Sequence, residues 1–137
     1  MECVLCSPES DKILWENERF YIIDASTKDF PLFIRLIPKK HVKELGDLTD
    51  EEFEELFFLI RKLDKLVASE LNPTKVNWAS FGNMTPHLHW HLIARWSDDR
   101  YFPECPWGPI AKSEYPLSQE TRENECLRFK KILKDLI

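Results

Sequence analysis

The sequence predicts an α+β fold: an antiparallel sheet of about five strands, a long helix packed on one face, and a C-terminal helix. Three observations predict it. In Val76–Arg95, VNWASFGNMTPHLHWHLIAR, His87, His89 and His91 alternate with Leu88, Trp90 and Leu92. That is the period of a strand with one apolar face. Thr49 and Glu52 make a capping box ahead of an apolar stripe, Phe53, Leu56, Ile60, Leu63 and Val67, spaced by three and four. Two β-rich runs, Ile13–Asp24 and Pro31–Pro38, precede that helix.

The 137 residues suffice for one domain with its own core, assigned to 1–137. Aromatic and aliphatic residues are plentiful, which excludes a disordered chain. A formal net charge of −5 argues against a nucleic-acid binder, which needs a basic face. No apolar run is long enough to span a membrane. The start, MECVLCSPESDK, has neither a basic n-region nor an apolar h-region, so a cytoplasmic location is expected. The four cysteines are then expected as free thiols rather than bridges.

Taken in order, Cys3 and Cys6 have the spacing of half a zinc site, with no second CxxC to complete it. They read either as idle thiols near a terminus or as ligands that draw on histidines elsewhere. Ile13–Asp24 reads as two short strands around a turn at Glu16–Glu18. Asp24 ends the second strand. It is either a turn former or a carboxylate able to accept from both hydroxyls of a ribose. Phe20 and Ile22 share its alternate positions, as core or as walls of a pocket. Pro31–Pro38 is a central strand, and Lys39 and Lys40 after it are a solvated turn. The helix from Thr49 ends at Asn72-Pro73. Phe57 and Leu66 widen its stripe, and Leu48 with Phe53 can form a hydrophobic staple. Lys75–Gly82 is the next strand, paired antiparallel with the histidine strand. Tyr101–Pro109, rich in Pro and aromatics, cannot be a regular helix. Ser118 is an N-cap for the last helix, with Cys126, Phe129, Leu133 and Leu136 on one side.

On a strand the three imidazoles line one surface, neighbours roughly 7 Å apart. They read as polar residues on a solvated face, as metal ligands, or as a nucleophile with helpers. A neutral imidazole is a competent nucleophile toward phosphorus. A second imidazole can stay protonated and stabilise phosphate charge. Donors for such a phosphate would come from the Asn83 carboxamide, the backbone near Gly82–Thr85, and Asn77. Strand alternation turns the Thr85 hydroxyl away unless Pro86 bends the chain.

His-Leu-His-Trp-His-Leu-Ile at His87–Ile93 resembles the histidine triad (HIT) motif, His-φ-His-φ-His-φ-φ with φ apolar. Supporting matches are IPKKHV at Ile37–Val42, Asp24 seventeen residues before His41, and Asn77 ten residues before His87. The resemblance covers Cys3 to Trp107 and leaves 108–137 as a tail and helix outside it. It implies a HIT-like fold, a homodimer, and nucleotidyl transfer to water. His89 would attack the α-phosphorus of a nucleotide conjugate, a dinucleoside polyphosphate or a phosphoramidate. His91 would contact the phosphate or the departing atom, and His87 would orient the backbone around the site. Asp24 would hold the ribose. By the same resemblance Cys3, Cys6, His41 and His87 would bind a structural zinc, with no organic cofactor. Two positions depart from the family. Asn83 stands where a longer Gln is common, and Met84 where a Ser or Thr often supplies a hydroxyl. The alternatives are a nucleotide-binding sensor or scaffold with little turnover and a metalloenzyme that uses the triad as catalytic zinc ligands. Trp107 either crosses toward a partner subunit or covers its own chain.

Overall fold

The computed structural model describes residues 3–137. Strands β1 (Ile13–Glu16), β2 (Phe20–Asp24) and β3 (Phe33–Pro38) come first, then helix α1 (Asp50–Leu71), strands β4 (Lys75–Ala79) and β5 (Trp90–Arg95), and helix α2 (Gln119–Leu136). The strands form one antiparallel sheet in the order β1-β2-β3-β5-β4. The β1–β2 turn forms because Asn17 accepts from the backbone N–H groups of Arg19 and Phe20 through its side chain, as short polar residues in turns do. No described helix is long and apolar enough to cross a membrane.

α1 starts where the capping box predicts. The Thr49 hydroxyl accepts from the Glu52 N–H at 3.2 Å, and the Glu52 carboxylate accepts from the Thr49 N–H at 2.8 Å. It stops at Asn72, whose φ of 47° is left-handed, just before Pro73. Leu56, Leu63 and Val67 of the expected stripe are buried, joined by Leu59 and Leu71. Phe53 and Phe57 are not core. Phe57 lies one residue, about 100°, round the helix from Leu56. It packs on Phe53 and on the edge of Trp90 instead.

Both helices cover the same face of the sheet. Phe20, Ile22, Ile34, Leu36, Leu92 and Ala94 meet Leu56, Leu63 and Val67 of α1 and Cys126, Phe129 and Leu133 of α2 in one buried cluster. Ser118 does precede α2, but its hydroxyl bonds Asp98 at 3.1 Å instead of capping. The other face carries two smaller apolar clusters. Cys3 and Leu5 pack on Tyr21, Ile23 and Ile37 at one end. At the other, Phe30 and Tyr101 pack on Phe33 and Ile93. The middle of that face is where the polar residues lie.

Two strand expectations need correction. β4 ends at Ala79, not Gly82, and the β5 ladder begins at Trp90, so His87–His89 precede it. Pro86 has no N–H to give a ladder. Leu88 donates to the Val42 carbonyl at 2.8 Å instead. The alternation survives: Leu88 and Leu92 are in the core.

Candidate active site

The three histidines are buried, but they do not form one row. They divide into two groups joined through His87. The His41 and His87 rings meet at 4.9 Å, and so do those of His89 and His91.

The first group is a ligand cage. Cys3 Sγ lies 3.3 Å and Cys6 Sγ 3.5 Å from His87 Nδ1. Cys6 Sγ is 3.2 Å from His41 Nδ1, and the two Nδ1 atoms are 3.2 Å apart. All four ligand atoms lie within 4.8 Å of one another. A tetrahedral ion bound about 2.3 Å from sulfur and about 2.0 to 2.1 Å from nitrogen sets ligand-to-ligand edges of roughly 3.3 to 3.8 Å. Four of the six edges, at 3.2 to 3.5 Å, are of that size. The tautomer matches too: His87 Nε2–H donates to the Pro38 carbonyl at 2.7 Å, which leaves the Nδ1 lone pair facing the sulfurs. Burial first, then His41 and His89, hold His87 below the ordinary histidine pKa, so it is neutral as a ligand must be.

The second group lines a cavity of about 490 Å³ with Arg35, Phe81, Gly82, Asn83, Met84, Thr85 and Trp107. The backbone positions His89 at two points. Its Nδ1–H donates to the His87 carbonyl at 2.7 Å, and its own carbonyl accepts from Ser80 Oγ at 2.7 Å. A carbonyl only accepts, so the proton sits on Nδ1 and the Nε2 lone pair is free. His91 follows on β5, opposite Arg35 of β3 and Ala79 of β4. Phe33, Phe81 and Trp107 surround its ring at 5.3, 6.2 and 5.4 Å between centroids. Its Nδ1 is buried without a partner. Burial, then His89 and Arg35, push its pKa down to about 4. His91 is neutral near pH 7, and the fixed positive charge on the cavity wall is Arg35.

Gly82 has a φ of +74°, the left-handed conformation that glycine adopts without strain. That turn brings Asn83 and Thr85 to the cavity with the histidines. Thr85, expected to turn away, lines it because the segment past Ala79 is no longer a strand.

Asp24 and Asn77 are not brought to this cavity. Asp24 alternates with Phe20 and Ile22, so it lies on the helix face. Its carboxylate accepts from the Ser26 N–H at 3.0 Å and from Lys130 Nζ of α2 at 3.2 Å. Burial raises its pKa, but those bonds and the Lys130 charge outweigh it and hold the carboxyl below its usual range. The cavity lining therefore does not include Asp24, whose carboxylate is engaged by Ser26 and Lys130. Asn77 Oδ1 accepts from Arg95 Nη1 at 3.0 Å, two ladder positions from His91. Arg95 also pairs with Asp99 at 2.7 Å and donates to the Glu104 carbonyl. Asn77 thus helps anchor the segment that carries Trp107. Trp107 packs on its own chain's Phe81 and His91.

The sequence reading missed Arg35, Ser80, Phe81 and Arg95. Arg35 had a signal: one cation inside the apolar run PLFIRLIP. Ser80 and Phe81 had none, since their role depends on where β4 ends.

The chain is 26% identical over 110 residues to a bis(5'-adenosyl)-triphosphatase of Dictyostelium discoideum, covering 77% of this chain and 74% of that one. It is 31% identical over 78 residues to an AP-4-A phosphorylase of Mycobacterium tuberculosis, covering 53% of this chain but only 40% of the relative. A crystal structure of a histidine triad protein from Marinobacter aquaeolei superposes with a TM-score of 0.71 at 23% identity, over 93% of both chains, and speaks to the fold alone. The HIT domain family model matches residues 8–98, well over half of the chain, and the protein belongs to that family.

Proposed function

We propose that the chain hydrolyses nucleotide conjugates at the α-phosphate through a covalent nucleotidyl-histidine on His89. The observation that carries this reading is the His89 Nδ1–H bond to the His87 carbonyl, which leaves Nε2 as a free nucleophile in a cavity ringed by donors. Nε2 attacks phosphorus, the bond to the leaving group breaks, and its electron pair leaves with that group. The nucleotidylated imidazole is then a cation that keeps Nδ1–H, and the His87 carbonyl dipole stabilises it. Water attacks the same phosphorus, the P–N bond breaks, and His89 is regenerated neutral while the water proton leaves with product or solvent. The Gly82–Thr85 turn and neutral His91 donate to the non-bridging oxygens. The diadenosine polyphosphate activity in the name of the Dictyostelium relative supports this substrate class.

A zinc ion held by Cys3, Cys6, His41 and His87 belongs to this reading. Four protein ligands close the shell, so it supplies structure by tying the N-terminal segment to His87. A homodimer belongs to it as well, because β4 is an edge strand of the sheet and presents an open row of ladder groups. Sedimentation of the purified chain tests that point.

The deciding experiment is turnover of diadenosine tetraphosphate by the wild type and by His89→Ala, with mass spectrometry of acid-unstable adducts on the His89 peptide. Mononucleotide release and an adenylyl adduct only in the wild type are expected. Equal activity in both proteins refutes the mechanism. AMP binding without turnover of any conjugate favours the sensor reading.

A further inference from the structure

Arg35 is half-buried in the middle of the open sheet face, and its Nε is buried without a hydrogen-bond partner. Other arginines of comparable burial are matched: Arg95 to Asp99, Arg100 to Asp29 and Arg122 to Asp98. Among the described residues, no carboxylate lies within ion-pair distance of Arg35. Its Cζ lies 5.7 Å from the centre of the Phe33 ring, which holds the fork beside an apolar wall. A buried Nε–H with no acceptor costs free energy unless an anion arrives, and the planar fork fits phosphate oxygens two at a time.

Its place in the sheet says which phosphate. β5 runs between β3 and β4. Arg35 therefore reaches His91 from the β3 side, while the Gly82–Thr85 turn reaches it from the β4 side. Two sets of donors flank the histidines from opposite directions. A single α-phosphate engaged by His89 and the turn leaves Arg35 for the next group along the substrate.

We propose that Arg35 holds the leaving phosphate, so that this site selects nucleotide conjugates whose leaving group is itself a phosphate or polyphosphate over those that release an amine. The inference rests on the hydrolase reading and refines it. When Nε2 of His89 forms its bond to the α-phosphorus, the bridging P–O bond breaks and its electron pair stays on the departing oxygen. The charge on that group grows by one, and a fixed guanidinium stabilises it without moving a proton. An amine leaving group needs a proton instead. Arg35 is too basic to give one, and Met84 has no hydroxyl, which leaves Thr85 as the one hydroxyl among the residues lining the cavity.

The test compares two adenylyl donors, diadenosine tetraphosphate and adenosine 5′-phosphoramidate, on the wild type, Arg35→Gln and Arg35→Lys. The ratio of kcat/KM between the two substrates is the readout, because it does not depend on the folded fraction of a preparation. The wild type should favour the tetraphosphate. Arg35→Gln should reduce that preference at least tenfold, and up to the ~10²–10³ seen for loss of one transition-state donor, and Arg35→Lys should recover part of it. An unchanged ratio overturns the proposal, whether both substrates lose activity equally or neither does. If the wild type turns over neither substrate, the hydrolase reading fails and binding decides Arg35 separately. The wild type should then bind ADP more tightly than AMP, and Arg35→Gln should abolish the difference. Equal affinities in the wild type overturn the proposal.

Discussion

His89 donates its Nδ1 proton to the backbone carbonyl of His87 at 2.7 Å, and the ring of that same His87 stands 3.3 Å from Cys3 Sγ. The imidazole proposed as nucleophile and the four-residue cage therefore share one residue. Whatever fixes the His87 ring also fixes the acceptor that sets the His89 tautomer. A metal held by the cage would therefore act on stability and on the proposed nucleophile together, without touching substrate.

Cys6→Ser tests that coupling. Metal content per chain, measured by mass spectrometry of the purified protein, should fall well below one. The affinity loss should exceed the ~10–100-fold seen when only a hydrogen-bond partner of a ligand is removed. The thermal midpoint should drop, and kcat should fall more than KM rises, because the substrate contacts remain while the nucleophile loosens. Full metal content with unchanged kcat would show that Cys6 is an idle thiol.

His91 sets a pH dependence of stability. Its folded pKa of about 4 lies below its ordinary value of 6.5. Above pH 6.5 both folded and unfolded states are neutral there, and stability is full. Between pH 6.5 and 4 the unfolded chain binds a proton that the folded one refuses, so stability falls as pH falls. The loss from this group reaches about 2 kcal/mol at pH 5 and levels off near 3 kcal/mol below pH 4. Urea unfolding of the wild type and His91→Gln at pH 7.5, 6 and 5 isolates it from the carboxylates. The stability difference between the two should move toward His91→Gln as pH drops. A constant difference would mean that His91 is not held neutral by burial.

The strand period of residues 87–92 and the capping box at Thr49 made the two main elements legible, because both are local signals. The ligand set Cys3, Cys6, His41 and His87 was legible only through resemblance, since no spacing links Cys6 to His41. What stayed hidden depends on register and on strand ends. Arg35 joins the site because β3 pairs with β5 in a register that sets it opposite His91. Asp24 leaves it because the alternation on β2 turns its side chain toward α2, a helix that the resemblance did not cover. Thr85 enters because β4 stops at Ala79.

Asp24→Asn distinguishes a ribose ligand from a tie to α2. The substitution keeps the Ser26 bond but loses the charge that Lys130 meets. A partly exposed pair of this kind contributes about 1 kcal/mol or less, so the melting temperature should fall slightly. AMP affinity, by titration calorimetry, should stay within about twofold, since 1.4 kcal/mol would be needed for tenfold. A tenfold loss of AMP affinity at unchanged stability would return Asp24 to the binding site.

Arg95 and Asp99, both buried, hold the start of the segment that carries Trp107 to the cavity. Asp99 also accepts from the N–H groups of Tyr101 and Phe102, which shapes the turn after β5. Removing one charge of a buried pair leaves the other uncompensated, at a cost of about 3–5 kcal/mol. Asp99→Asn should therefore lower unfolding free energy by an amount in that range. It should also raise KM, because Trp107 loses its anchor. Trp107→Ala should raise KM without the large stability loss, since the side chain is half exposed and faces the cavity. Stacking of a base on an aromatic ring contributes about 1–3 kcal/mol, so a rise in KM between roughly fivefold and a hundredfold is expected. Quenching of Trp107 fluorescence on adding AMP, absent in Trp107→Phe, would report the contact directly. If Trp107→Ala leaves KM unchanged while Asp99→Asn raises it, the segment shapes the cavity through its backbone and Trp107 does not meet the substrate.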